Sequence, residues 1–220
     1  MDKPRISNVG VIFPKEYLCS PRVVRKIQLI TQNIKCVRVL TNDISHPISI
    51  EIGVQLGVSV SQICSNETLD YLIVFCDEHS LTTEVKRSMA RMDRLRVRVI
   101  YTPITRVVNI KRLPKGVSGE DFSYIGRGTP FGNPYSVATE GSKEVAISKF
   151  SYDFERGLLR RGDEKELAIT RLLGKFIACS CHPMRCHGDV ISGYLNSIDI
   201  DEIEPKLKKQ CWFNKFVFSV

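Results

Sequence analysis

The chain has 220 residues, 43% of them hydrophobic, enough to bury an ordinary core and to place it outside the disordered class. Its formal net charge is +8, with fourteen basic against ten acidic residues up to position 102 and eighteen against fourteen after it, so each half carries +4. No run approaches the roughly 18 apolar residues of a membrane span, and MDKPRISN lacks the apolar core of a signal peptide, so no membrane association and a cytoplasmic location are expected.

Residues 6 to 13 are apolar and β-branched and predict a strand, followed by a turn through Cys19, Ser20 and Pro21 and an amphipathic helix from Arg22 to Gln32. CVRVL (36 to 40) is a second strand, TNDISHP a polar loop, Ile48 to Leu56 a helix and Val58 to Val60 a short strand. LDYLIVF (69 to 75) is the strongest strand of this half; the loop CDEHSLTT, a helix from Glu84 to Arg94 and the strand VRVIY follow. Strands alternating with helices imply βαβ crossovers and a mostly parallel sheet, with ligands expected at the carboxyl ends of strands, here Thr41 to His46 and Asp77 to Thr83. Cys19, Cys36, Cys64 and Cys76 lie in apolar segments of a chain without an export signal and are expected to be reduced core residues. In KRSMARMDRLRVR (86 to 98), Arg87, Arg91, Arg94 and Arg98 follow one another at three or four positions, with Lys86 beside the first, a spacing that lets several share one helix face suited to a phosphate backbone or simply to solvent.

This order of strand, polar loop and helix, with DYLIVF leading into a Ser/Thr-containing loop, resembles the Rossmann-like superfamily that includes the DprA and LOG (lysine-decarboxylase-like) proteins. The resemblance implies a nucleotide-binding fold over residues 1 to 102. In that superfamily glycine-rich turns cradle phosphate; TNDISHP and DEHSLTTE stand at the corresponding places, so the domain is degenerate there.

Pro103 marks the join to a smaller α/β domain over residues 103 to 220. VVNI (107 to 110) starts a strand, and KRLPKGVSGEDFS is a loop. YIGRGTPFGNPY (124 to 135) packs three glycines and two prolines into a dozen positions, which only a shaped loop tolerates. Arg127 suits a carboxylate or phosphate, and Asn109, Gly126, Gly128, Thr129, Asn133 and Cys181 are candidate ligand-binding residues. A helix from Ser142 to about Leu159, with Val145, Phe150, Phe154 and Leu158 facing a core, and another from Asp163 to Leu173 follow.

FIACSCHPMRCHGDVISGYL (176 to 195) predicts a buried strand, a tight turn and a helix beginning near Asp189, with Asp189 as its N-cap. Cys179, Cys181, His182, Cys186 and His187 crowd together, but C-x-C-x4-C-H from one segment departs from the paired spacing of structural zinc sites, and no metal or other cofactor is assigned. The IGRGTPFGNP loop and the C-x-C-x4-C-H-G-D turn together resemble an uncharacterised domain family common in bacteriophages and bacteria, covering residues 104 to 197. That resemblance implies that the two motifs belong together; if the chain is phage-encoded, its compartment is the host cytoplasm.

Three functions stay open. The first is a hydrolase of DNA or nucleotides, foremost an endonuclease at abasic or modified sites or an N-glycosidase, with Arg127 on phosphate, His187 and Asp189 as base and orienter, and Cys186 beside them. No dense carboxylate set is present, which points away from two-metal chemistry. The second is a nucleotide-binding or nucleotide-sensing module. The third is an effector that binds a host protein through CWFNKFVFSV (211 to 220), a segment that also suits an edge strand.

Overall fold

The computed structural model describes residues 6–34, 37–64, 67–80, 96–114, 117, 119–159 and 163–203. The chain divides into two compact units, one of Met1–Thr102 with Ser197–Val220 and one of Pro103–Asn196. Of the described residues past Asn196, 197–203 group with the first unit.

The first unit is a parallel sheet of β1 (Ser7–Ile12), β2 (Val37–Thr41), β3 (Val60–Gln62), β4 (Tyr71–Cys76) and β5 (Arg96–Tyr101), in the order β3-β2-β1-β4-β5. Helices α1 (Ser20–Thr31) and α2 (Pro47–Leu56) supply crossovers. Burial follows position: β4, flanked by β1 and β5, is buried from Leu72 to Cys76, whereas edge strand β5 exposes Val99 and Tyr101. Pro21 pre-sets the first turn of α1, which turns Val23, Val24 and Ile27 into the core. The chain leaves α2 at Gly57, whose φ of 62° suits the left-handed cap and whose N–H donates to the Gly53 carbonyl.

Of the cysteines expected in the core, Cys19 and Cys76 are buried and Cys64 is exposed, because it lies in the loop past β3 instead of in a strand; Cys36 lies outside the described residues. The expected helix from Glu84 to Arg94, with Lys86, Arg87, Arg91 and Arg94, and the tail 211 to 220 also lie outside them.

One buried cation organises this unit's periphery. Arg22, 4% exposed, donates to the Thr102 hydroxyl at 2.8 Å and the Tyr101 carbonyl at 3.2 Å, and pairs with Asp201 at 3.1 Å. Arg25 and Lys26 also reach Asp201, at 3.0 and 2.8 Å, so residues near 200 are clamped to α1.

The second unit holds a three-stranded parallel sheet, β6 (Arg106–Asn109), β8 (Phe176–Cys179) and β7 (Phe122–Tyr124) in that order, with helices α3 (Val137–Glu140), α4 (Lys143–Arg156), α5 (Glu164–Leu172) and α6 (His187–Ser197). Central strand β8 is buried throughout. Helix α4 buries Ala146, Ile147, Phe150 and Phe154; of the expected stripe, Val145 is 43% exposed, and Leu158, 60% exposed, lies past the Gly157 cap. Thr105 and Asn196 exchange two buried hydrogen bonds, of 2.8 and 3.0 Å, which tie the end of α6 to the start of β6. Strand β7 and helix α3 are short elements that periodicity did not reveal.

Arg22→Ala removes the buried bonds to Thr102 and the Tyr101 carbonyl while Arg25 and Lys26 still pair with Asp201, and is expected to destabilise the protein by about 1.5–3 kcal/mol in urea unfolding. Burial alone would raise the Asp201 carboxyl from its ordinary 3.8, but the surrounding Lys26, Arg22 and Arg25 hold it down at about 2. A folded-state value below the unfolded one means that this contribution is complete above 3.8 and is lost as pH falls through about 2. Unfolding measured between those limits should show a wild-type loss that Asp201→Asn does not share.

Candidate functional site

The carboxyl-end loops of the first sheet are closed by their own side chains. The Asn42 amide bridges both backbone groups of Phe13, at 3.1 and 2.9 Å, joining the loops after β1 and β2. Backbone N–H groups of Ile44, Ser45 and Ile48 go to Gln62 Oε1, Asp43 Oδ1 and His46 Nδ1. The His46 ring packs on Phe13 at 4.9 Å and donates from Nε2 to the Lys15 carbonyl at 3.1 Å. The amides that a glycine-rich turn would leave open to phosphate already have partners here. After β4, Asp77 likewise caps the Ser80 N–H at 2.8 Å.

In the second unit the glycine-rich loop follows β7. Ile125 N–H extends the ladder by donating to Ala178 O at 3.0 Å, and the chain then turns sharply. The Gly126 carbonyl accepts from both the Thr129 N–H, 3.2 Å, and its hydroxyl, 2.9 Å, while the Gly132 N–H donates to Thr129 O at 3.1 Å. Gly128 has φ 90°. A Cβ at Gly132 would lie 2.6 Å from the Gly126 carbonyl oxygen, so only glycine fits that crossing. Asn133 donates to Ala146 O at 3.2 Å and accepts from Tyr135 N–H at 2.9 Å, docking the loop on α4. The loop encloses a cleft of about 220 Å³ lined by Arg127, Gly128, Thr129, Gly132, Asn133, Pro134 and Ser136. Arg127 is exposed and makes no hydrogen bond or ion pair among the described residues.

The second motif forms the turn from β8 into α6. Asn109, beside Cys179 in the sheet register, donates to the carbonyls of His182, 2.6 Å, and Ser180, 3.3 Å, and so shapes the turn, which contains a cis His182–Pro183 bond. Cys186 precedes the helix, and Asp189 is its third residue, reaching back to accept the Cys186 N–H at 2.6 Å. Asp189 is thus the returning half of a cap and not the N-cap itself. His187 is 7% exposed, meets Phe150 edge-on at 5.3 Å, and donates from Nε2 to the Ile125 carbonyl at 2.8 Å. No His187–Asp189 hydrogen bond forms: His187 Nε2 donates to the Ile125 carbonyl and Asp189 Oδ2 accepts the Cys186 N–H.

Cys179 and Cys186 are 3% and 2% exposed, and their sulfurs and a His187 ring nitrogen lie within 4.8 Å of one another. The adjoining Cys186 thiol and the Cys181 backbone N–H hold the Cys179 thiol well below its ordinary range, against its burial, while Cys179 and burial push the Cys186 thiol up, and burial raises Cys181. The three described thiols of this turn are all free.

The structure therefore gathers Arg127, Gly128, Thr129 and Asn133 around one cleft, with Gly126 beneath it, and places Cys179, Cys186 and His187 in a separate buried cluster. Thr129, Asn133, Asn109 and Asp189 use their polar groups to shape backbone. Sequence reasoning missed Gly132, Ser136 and the Ile125 carbonyl. A third glycine in a dozen residues was the signal for Gly132; a backbone acceptor leaves none.

Fold and site define a protein of two α/β units, a Rossmann-like parallel sheet and a small domain built on the GRGTPFGNP loop and the CHGD turn. Residues 6–108 match the Minimal SLOG domain and residues 108–197 the Domain of unknown function (DUF4326); the chain belongs to these families. Over 80 residues it is 36% identical to the "Uncharacterized 12.4 kDa protein in nrdA-td intergenic region" of Enterobacteria phage T4, a match spanning 36% of this chain and 72% of that protein. No solved structure matches. Among the described residues no helix is long and apolar enough to cross a membrane.

Gly132→Ala is expected to cost about 1–3 kcal/mol, since the added methyl meets backbone that cannot move aside. Chemical unfolding and amide shifts confined to residues 125–136 would check it.

Proposed function

We propose that this protein binds a phosphorylated nucleotide and that Arg127 grips a phosphoryl group of that ligand at the cleft of the second unit. The observation that carries this reading is the placement of Arg127, exposed and without a protein partner among the described residues, at a cleft with glycine on two sides. A guanidinium presents a planar fork of N–H donors that matches phosphate oxygens, and the missing side chains at Gly128 and Gly132 leave backbone within reach of a ligand. A net charge of +8 favours an anionic partner, and the adjoining SLOG match over residues 6–108, a domain type that binds nucleotide-like ligands, suggests nucleotides as the class to test at this cleft. In the first unit the turn after β2 is closed by its own side chains, so that turn is not the phosphate site of this proposal.

Nucleic acid offers Arg127 the same phosphate chemistry and is the competing ligand. Cleavage at abasic sites through His187 and Asp189 is not part of the proposal, since that reaction needs a proton-transfer pair and these two side chains serve the backbone.

Calorimetry of the full chain against nucleoside mono-, di- and triphosphates, ADP-ribose and short DNA should give saturable binding to one nucleotide class. Arg127→Ala should weaken it by about 10- to 100-fold, the loss of a charge-assisted bond of roughly 1.5–3 kcal/mol. Flat titrations across the nucleotides would end the proposal; unchanged affinity in Arg127→Ala would move the site elsewhere. EDTA-insensitive cutting of abasic DNA would restore the hydrolase.

A further inference from the structure

We infer that Cys179, Cys186 and His187, with Cys181 as fourth ligand, form a structural zinc site that closes the turn between β8 and α6. The argument rests first on convergence. Cys179 ends a strand and Cys186 and His187 open a helix, so a single segment brings its ligands together from two elements, which spacing alone does not reveal. Tetrahedral zinc with bonds of about 2.0–2.3 Å separates its ligand atoms by about 3.5–3.8 Å, so atoms already within 4.8 Å of one another need only small side-chain rotations. Cys181, two residues past Cys179 in the same turn, has a free, half-buried thiol that can swing toward the cluster as fourth ligand.

The surroundings supply the second support. The Ile125 carbonyl can only accept, so His187 Nε2 carries the ring proton and Nδ1 is left to offer its lone pair. A ligating histidine held through its other nitrogen by a backbone carbonyl is the usual outer-shell arrangement, because it fixes both tautomer and ring angle. A Cβ at Gly188 would lie 2.9 Å from Ile125 Cδ1 and 3.3 Å from Cys186 Sγ, so glycine is what lets the first turn of α6 pack this closely on Cys186.

Donor chemistry selects the metal. Three thiolates and one imidazole suit zinc and disfavour magnesium or calcium, which take oxygen. Each ligating thiol releases its proton to the buffer as its bond to the metal forms. All four positions come from protein, leaving none open for water, so the role is structural; Arg127 and its cleft do not enter the argument.

The full chain, purified under reducing conditions without chelator, should contain a single zinc per molecule by plasma mass spectrometry. Chelation should lower its Tm and release thiols to a disulfide reagent, with zinc reversing both. Because Cys179→Ser and Cys186→Ser can fail to fold, the deciding measurement uses the wild type. Cobalt exchanged for zinc should give the visible bands of a tetrahedral site with intense thiolate-to-cobalt absorption in the near ultraviolet, and Cys181→Ser should weaken that absorption. Reduced protein that takes up neither metal, or a Cys179–Cys186 disulfide in the native protein, would overturn the site. An unchanged cobalt spectrum in Cys181→Ser would overturn its place as fourth ligand.

Discussion

The hydrogen bond from His187 Nε2 to the Ile125 carbonyl joins two motifs about sixty residues apart in sequence, and much of the second unit's local geometry depends on it. Ile125 is the last residue held by the sheet before the glycine loop turns, and its N–H and C=O are both engaged, one by β8 and one by the histidine. The loop therefore leaves from a fixed point. The same bond orients the imidazole toward Cys179 and Cys186, so one buried contact sets both the exit of the cleft loop and the disposition of the thiols. That accounts for the two motifs occurring in one domain without requiring that they share one reaction.

The two units use polar side chains in opposite ways. In the first, Asn42, Asp43 and His46 close the turn after β2, and Arg22 is enclosed by Tyr101, Thr102 and Asp201, so its polar groups are satisfied internally. In the second, Thr129 and Asn133 are also engaged by backbone, yet their work holds a loop open around a cleft and leaves Arg127 outside it. A rigid frame with one uncommitted cation is what anion recognition needs, since the ordering of the loop is complete before the ligand arrives. The Rossmann-like topology by itself assigns no chemistry.

Much of the first unit was legible because a parallel sheet with helical crossovers writes a strong pattern. Buried strands such as LIVF, with β-branched neighbours, and helices opened by proline or closed by glycine were placed to within a few residues. Two short elements of the second unit were not. Strand β7 has three residues and α3 four, too few for any periodicity to emerge. Of the stripe expected on α4, Phe150 and Phe154 are buried, whereas Val145 is 43% exposed and Leu158 lies past the Gly157 cap, off the helix. Among candidate residues, Arg127 was found from its glycine-rich setting, whereas the roles of Asn109, Thr129, Asn133 and Asp189 were obscured because a ligand-binding amide or carboxylate and one that caps a backbone are the same residue type in the same kind of loop.

By itself the sequence determined the fold class and the alternation of strand and helix, because hydrophobic period and backbone permissiveness are local properties of the chain; the pairing of the GRGTPFGNP and CHGD motifs came from resemblance to a known family. Only the tertiary structure decided which polar groups are engaged and which are free. It gave His187 to Ile125 and not to Asp189, and brought Cys179 within reach of Cys186 and His187. Those outcomes depend on hydrogen-bond acceptors and packing partners far away in sequence, many of them backbone carbonyls, which every residue has and which no pattern of side chains marks.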